Sequence, residues 1–135
     1  LAEFRARGAE VVAVSTDSKF SHKAWLQTPR SKGGIEGCRT PILADFTKKV
    51  SAAYDVLQEA SGVAVRGLFI IDPEGVVQSV LINNLPIGRN ADEVLRLLDA
   101  IQHHRAHGEV CPLGWKKGDE AIKPAQARNW FEKRG

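Results

Sequence analysis

Apolar residues along the chain alternate between two periods, and the points where the period changes divide it into elements. Leu1 and Phe4 stand at helical spacing ahead of Gly8, which predicts the last turns of a helix closed by a glycine. The next run, AEVVAVSTDS, is β-branched and apolar until it ends on Ser, Thr and Asp. That is the pattern of a buried strand delivering polar residues at its carboxyl end. SHKAWLQTPR reads as a helix capped by Ser18 or Ser21, with Trp25 and Leu26 on its apolar side and Pro29 as its stop. RSKGGIEGCRT is polar and glycine-rich, hence a loop, and PILAD is a short strand. FTKKVSAAYDVL then predicts a helix with Phe46, Val50, Tyr54 and Leu57 on one stripe.

In VRGLFIIDPEGVVQSVLIN two β-rich runs flank Asp72-Pro73-Glu74-Gly75, where Pro and Gly are placed for a tight turn, so the segment predicts a hairpin. NADEVLRLLDAIQHHRAHG predicts an amphipathic helix capped by Asn90, facing Val94, Leu97, Leu98 and Ile101 inward and closed by Gly108. The apolar period stops there. The remainder, EVCPLGWKKGDEAIKPAQARNWFEKRG, reads as an arm with turn signals and one terminal helix around Ala125 to Lys133. The order helix, strand, helix, strand, helix, hairpin, helix, tail implies an α/β fold, a mixed sheet flanked by helices. A sheet of this kind ordinarily has a strand before its first helix, so the fold is expected to be N-terminally incomplete in Leu1–Gly135.

With 135 residues, 43% hydrophobic and 26% charged, the chain falls in the range of one globular domain. Its net charge of +3 comes from scattered lysines and arginines interleaved with sixteen acids, which argues against nucleic acid as a partner. No run approaches the ~18 apolar residues of a membrane span, and LAEFRARG lacks the apolar core of a signal peptide. The sequence therefore reads as soluble and cytoplasmic, with no membrane partner. Two cysteines without a CxxC spacing make neither a disulfide framework nor a zinc knuckle. If the thiols matter, they matter by reacting.

Several residues could carry chemistry. Arg66 heads a strand that otherwise reads as core, so its charge must reach solvent or meet an anion. Cys111, in HGEVCP, lies on the irregular arm, where a thiol is free to attack or be attacked. Cys38 follows GGIEG beside Arg39. His103 and His107 stand one helical turn apart, a spacing that chelates metals, but no third ligand is evident and stabilisation by the helix C-terminus explains them better. KGGIEG lacks the Gly-Lys-Ser/Thr of a phosphate loop. Asp17 and Asp45, at two strand ends, form a conceivable carboxylate pair for which capping is the better use.

Taken together and in order, AEVVAVSTDSKFSHKAW, TPR with a GG loop, PILADFTKKVSAAYDVL, VRGLFIIDPEGVV, INNLPIGRNADEVLRLLDAIQ and HGEVCPLGWKKGD closely resemble the typical two-cysteine peroxiredoxins over essentially the whole chain. The resemblance implies a thioredoxin-like fold, divided into a partial domain over 1–106 and a C-terminal arm over 107–135. It implies thiol-dependent reduction of hydrogen peroxide and organic hydroperoxides, recycling by a thioredoxin-type reductant, a homodimer that in many members assembles into a decamer, and no cofactor. Carried onto this sequence, Cys111 matches the resolving cysteine, which closes an intersubunit disulfide with a partner's sulfenic acid. Arg66 matches the active-site arginine that stabilises thiolate and peroxide, and Arg89 in PIGRNADE a second arginine of the site's outer layer.

The sequence departs from the family pattern in two places. The peroxidatic Pro-x-x-x-Thr-x-x-Cys motif is expected just upstream of Leu1, and neither Cys38 nor Cys111 fills its place. The loop reads GGIEG, with Glu36 where overoxidation-prone members carry glycine, while their Tyr-Phe tail pair corresponds here to Trp130-Phe131. Two accounts of function follow. One is a peroxidase whose peroxidatic cysteine comes from an N-terminal segment. The other is a catalytically inactive short form that joins intact subunits as a dimerisation or regulatory module. A metal binder built on HHRAH is a distant third.

Overall fold

The computed structural model of the protein describes residues 1–134. They form two compact units, Leu1–Leu68 with Leu81–Arg89, and Phe69–Val80 with Asn90 onward.

In the first unit α1 (Ala2–Ala6) ends as predicted before Gly8, whose φ of +68° is the left-handed conformation glycine takes without strain. Strand β1 (Ala13–Ser15) pairs in parallel with β2 (Ile42–Ala44), Ala13 opposite Ile42 and Ser15 opposite Ala44. Parallel neighbours need a crossover, and α2 (Lys19–Gln27) supplies it. Ser18, not Ser21, is its N-cap, with its hydroxyl accepting the Ser21 N–H at 3.2 Å. The helix stops at Thr28, held extended ahead of Pro29. A 3-10 turn (Arg30–Lys32) then leads into the glycine pair. A Cβ on Gly34 would overlap the Thr28 carbonyl oxygen, so this backbone crossing admits only glycine.

The helix expected over 46–57 is shorter than its apolar stripe implied. Only α3 (Lys49–Ala53) forms; Phe46 is 68% exposed, and Leu57 lies in a strand. The reason is local. The buried Asp45 carboxylate accepts the Val50 N–H at 3.1 Å and the Ser51 N–H at 2.7 Å, fixing the start of the helix. Asp55 then turns into the left-handed region at φ +55° and ends it. Beyond it β3 (Leu57–Gln58) pairs antiparallel with β4 (Val63–Ala64), a pairing the sequence reading had not placed.

The predicted hairpin is present as β5 (Arg66–Ile71) and β6 (Val77–Asn83), hydrogen-bonded to one another. Its turn belongs to the second unit. There Asp72 accepts the Glu74 and Val76 N–H groups at 3.0 and 2.9 Å, and Gly75 takes φ +82°. Among the described residues the strands form three separate two-stranded sheets, β1–β2 parallel, β3–β4 antiparallel and β5–β6 the hairpin.

In the second unit α4 (Ala91–His107) has the predicted ends. Asn90 accepts from the Asp92 and Glu93 N–H groups at 2.9 and 3.3 Å, and Gly108 at φ +67° donates its N–H to the His104 carbonyl at 2.7 Å. Its buried residues are Val94, Leu95 and Leu98, whereas Leu97 and Ile101 are only half-buried. Arg105 ties the helix to the hairpin turn, 3.2 Å from Asp72 and 2.7 Å from Glu74. The tail is more structured than its loss of period implied. Val110 and Ile122 form an antiparallel bridge, each N–H reaching the other's carbonyl at 2.9 Å. A 3-10 turn (Pro124–Gln126) leads into α5 (Ala127–Glu132). Among the described residues no helix is long and apolar enough to cross a membrane.

Candidate thiol site

Cys111 follows the residue that makes the bridge to Ile122, so its position is fixed by backbone pairing. Its thiol is half-buried and directs S–H toward the Ala100 carbonyl of α4, with sulfur and oxygen 3.6 Å apart. Burial pushes this thiol above the ordinary cysteine range; the negative charge of Glu109 adds to the rise and the Arg96 guanidinium opposes it. Cys111 is therefore a docked thiol whose surroundings favour the protonated form. A nucleophile activated in place would have its pKa lowered.

The two predicted arginines are brought together. Arg66, at the start of β5, donates its Nε–H to the Leu85 carbonyl at 2.9 Å. Arg89 donates an Nη1–H to the carbonyl of Gly67, the residue after Arg66, at 3.1 Å. Both are exposed, and each uses one nitrogen to brace the loop before α4 against the hairpin base. Asn83 braces the same loop, donating to the Gly88 carbonyl at 2.8 Å. Cys38 is also a free, half-buried thiol; its N–H closes a turn on the Ile35 carbonyl at 2.9 Å.

Two further features carry no signal in the sequence pattern. Trp115 is 2% exposed, the most buried apolar side chain described, and it anchors the arm four residues after Cys111. The tail's loss of helical period hid it, since one aromatic in a turn carries no periodicity. At the end of β1 the Ser15 hydroxyl lies 2.7 Å from an Asp17 carboxylate oxygen and 2.9 Å from Nε2 of the buried His22. This is not a nucleophile triad, because the serine sits between acid and imidazole and Asp17 does not orient the histidine. Asp17 and Asp45 do not act as a pair either. Asp45 caps α3, and Asp17 holds Ser15. His103 is taken up by Glu109 at 2.9 Å, and among the described residues no three His, Cys, Asp or Glu groups are placed to hold a metal.

A strand–helix–strand unit with an antiparallel hairpin beyond it, carrying a free thiol on a braced C-terminal arm, defines a thioredoxin-like thiol protein. More particularly, the chain belongs to the AhpC/TSA family, the peroxiredoxins. Residues 1–80 match the AhpC/TSA family and residues 100–130 match the C-terminal domain of 1-Cys peroxiredoxin. The chain is 50% identical over 133 residues to peroxiredoxin-2 of Rattus norvegicus, covering 97% of this chain and 67% of the relative. To peroxiredoxin tpx1 of Schizosaccharomyces pombe it is 51% identical over 131 residues, covering 97% and 68%. Among solved structures, the reduced 2-Cys peroxiredoxin of Plasmodium vivax matches with a TM-score of 0.93 at 43% identity, over 97% of this chain and 68% of that one. The chain spans about two thirds of the length of these relatives. The peroxiredoxin fold expected from the sequence is thus the fold observed.

Proposed function

We propose that this chain carries the resolving half of a thiol-dependent peroxidase acting on hydrogen peroxide and organic hydroperoxides, with the peroxidatic cysteine supplied from outside Leu1–Gly135. The observation that carries this reading is Cys111, a free thiol in GEVCP held on the arm over 107–135. In the first step a peroxidatic thiolate attacks one peroxide oxygen. The O–O bond breaks, the leaving oxygen takes a proton from solvent and departs as water or an alcohol, and sulfenic acid remains. In the second, the Cys111 sulfur attacks that sulfenic sulfur. An S–S bond forms, the S–O bond breaks, and the hydroxyl leaves as water with the thiol proton. Two electrons from a thioredoxin-type dithiol then reopen the disulfide.

Arg66 and Arg89 support the first step. With one nitrogen of each guanidinium spent on a carbonyl, the remaining N–H groups have no protein acceptor among the described residues. Two guanidiniums so braced, Arg66 on the Leu85 carbonyl and Arg89 on the Gly67 carbonyl, would favour a thiolate over a thiol and donate to a peroxide oxygen. As the resemblance to the two-cysteine peroxiredoxins implies, this disulfide joins Cys111 to the peroxidatic cysteine of another subunit, which makes the working unit a homodimer. A cytoplasmic setting is one in which such thiols are returned to the reduced state between turnovers.

The test is a non-reducing gel of the protein in its native length after one equivalent of hydrogen peroxide, beside its intact mass. A linked dimer lost in Cys111→Ser and kept in Cys38→Ser supports the reading, and a dimer surviving Cys111→Ser overturns it. A native chain that starts at Leu1, consumes no peroxide alone and is linked through Cys111 only when mixed with an intact peroxiredoxin selects the inactive short form instead.

A further inference from the structure

The motif HHRAH is not used by the peroxidase reading, yet two of its histidines converge on one residue beside the thiol. His103 Nε2 lies 2.9 Å from a carboxylate oxygen of Glu109, and His104 Nδ1 lies 2.7 Å from the Glu109 backbone carbonyl. Both partners only accept, so both imidazoles donate. The His103 ring also lies 4.9 Å from the ring of Trp115 and 4.6 Å from that of His107. Four residues beyond the thiol, Arg96 donates to the Trp115 carbonyl at 2.9 Å. The segment from Glu109 to Trp115 is therefore fastened to α4 at both ends, with Cys111 between the fastenings and its S–H turned toward α4 at Ala100.

Such a thiol is held back from exchange, because attack on a sulfur outside its own subunit needs access and in-line approach. The far fastening is a buried tryptophan and opens only at high cost. The near one is the His103–Glu109 pair, 24% and 21% exposed, with the exposed His104 on the Glu109 carbonyl, hydrogen bonds of modest net strength. Local opening follows the weaker attachment.

We propose that His103 is a positioning residue for Cys111, a latch whose hydrogen bond to Glu109 keeps the thiol docked on α4 and whose release frees the arm to reach a sulfenic acid. The proposal rests on the reading of Cys111 as the resolving cysteine. In the docked state the thiol is withheld from stray electrophiles. Freeing it costs the His103 and His104 hydrogen bonds to Glu109 plus the docking contacts around Cys111 and leaves Trp115 in place.

The test is a short pulse of N-ethylmaleimide on the native-length protein, read by mass on the Cys111 peptide, with the Cys38 peptide as internal reference. His103→Phe keeps a ring against Trp115 and His107 but removes the donor; His103→Gln keeps a donor within reach of Glu109. Labelling of Cys111 is expected to rise about fivefold in the Phe variant and to stay within about twofold of wild type in the Gln variant, with Cys38 unchanged in both. Wild-type labelling in His103→Phe overturns the latch. So does equal acceleration by Gln and Phe, or a parallel rise at Cys38, which would report general loosening. The pulse needs no peroxide, so a failed resolving reading shows only on the gel and a failed latch only here.

Discussion

Arg96 joins the helix to the arm through Trp115. One guanidinium nitrogen donates to the Trp115 carbonyl at 2.9 Å while Nε and Nη2 form a fork on the Glu93 carboxylate at 2.7 and 2.8 Å. Trp115 in turn donates its indole N–H to the Asp119 carbonyl at 3.1 Å, closing the turn after the thiol. Trp115→Ala is expected to cost about 3–5 kcal/mol by leaving a cavity, and Trp115→Phe about 1 kcal/mol by losing the indole bond to the Asp119 carbonyl. Urea unfolding followed by circular dichroism checks both. If the two variants unfold at the wild-type midpoint, the arm is not anchored there.

Asp45 makes stability acid-sensitive. Burial pushes its carboxyl upward, but hydrogen bonds from the Ser51 N–H and hydroxyl and from the Val50 N–H outweigh that and hold it below the ordinary 3.8. A carboxyl with a folded pKa below its unfolded one contributes stability that is complete above the unfolded value. That contribution fades as the pH falls below about 3.8 toward the lower folded value. Asp45→Asn should flatten this part of the stability–pH curve and lower stability at pH 7. An unchanged acid limb in the variant would show that other carboxylates set it.

Gly34→Ala sets a methyl against the Thr28 carbonyl oxygen, and backbone must move to admit it. Overpacking of this kind costs about 1–3 kcal/mol. Gly33→Ala places a Cβ in open space but at φ +80°, a strain of about 1 kcal/mol. Thermal melts of the two variants should therefore order as wild type, Gly33→Ala, Gly34→Ala. The reverse order of the two glycine variants would remove the backbone crossing as the reason for the pair.

Elements with caps at both ends were legible from the chain. Asn90 and Gly108 bounded α4 because both act through the backbone, and Asp72 with Gly75 marked the hairpin turn for the same reason. The stripe Phe46, Val50, Tyr54, Leu57 misled because its period is shared by a short helix and a following strand, and only the Asp55 conformation separates them. In α4 the buried face includes Leu95, which the stripe of Val94, Leu97, Leu98 and Ile101 leaves out. Cys111, Arg66 and Arg89 were singled out as residue types in the order the family resemblance carries. What pins each of them, a carbonyl at Leu85, at Gly67 or at Ala100, was not, because backbone acceptors leave no mark on a sequence.

Glu109 acts on Cys111 by charge as well as through the latch. Burial raises the thiol pKa first, the Glu109 carboxylate raises it further, and Arg96 lowers it. Glu109→Gln deletes the charge yet keeps an oxygen that accepts from His103, so the arm stays docked while the field at the sulfur becomes less negative. Alkylation of Cys111 followed from pH 6 to 10 tracks the thiolate fraction. In Glu109→Gln the midpoint of that profile should move to lower pH, with the limiting rate at high pH nearly unchanged. His103→Phe is expected to differ, raising the limiting rate itself because access changes. A Gln profile that coincides with wild type would remove Glu109 from the electrostatics of the thiol, and one displaced to higher pH would mean that the substitution closes the arm further over the sulfur.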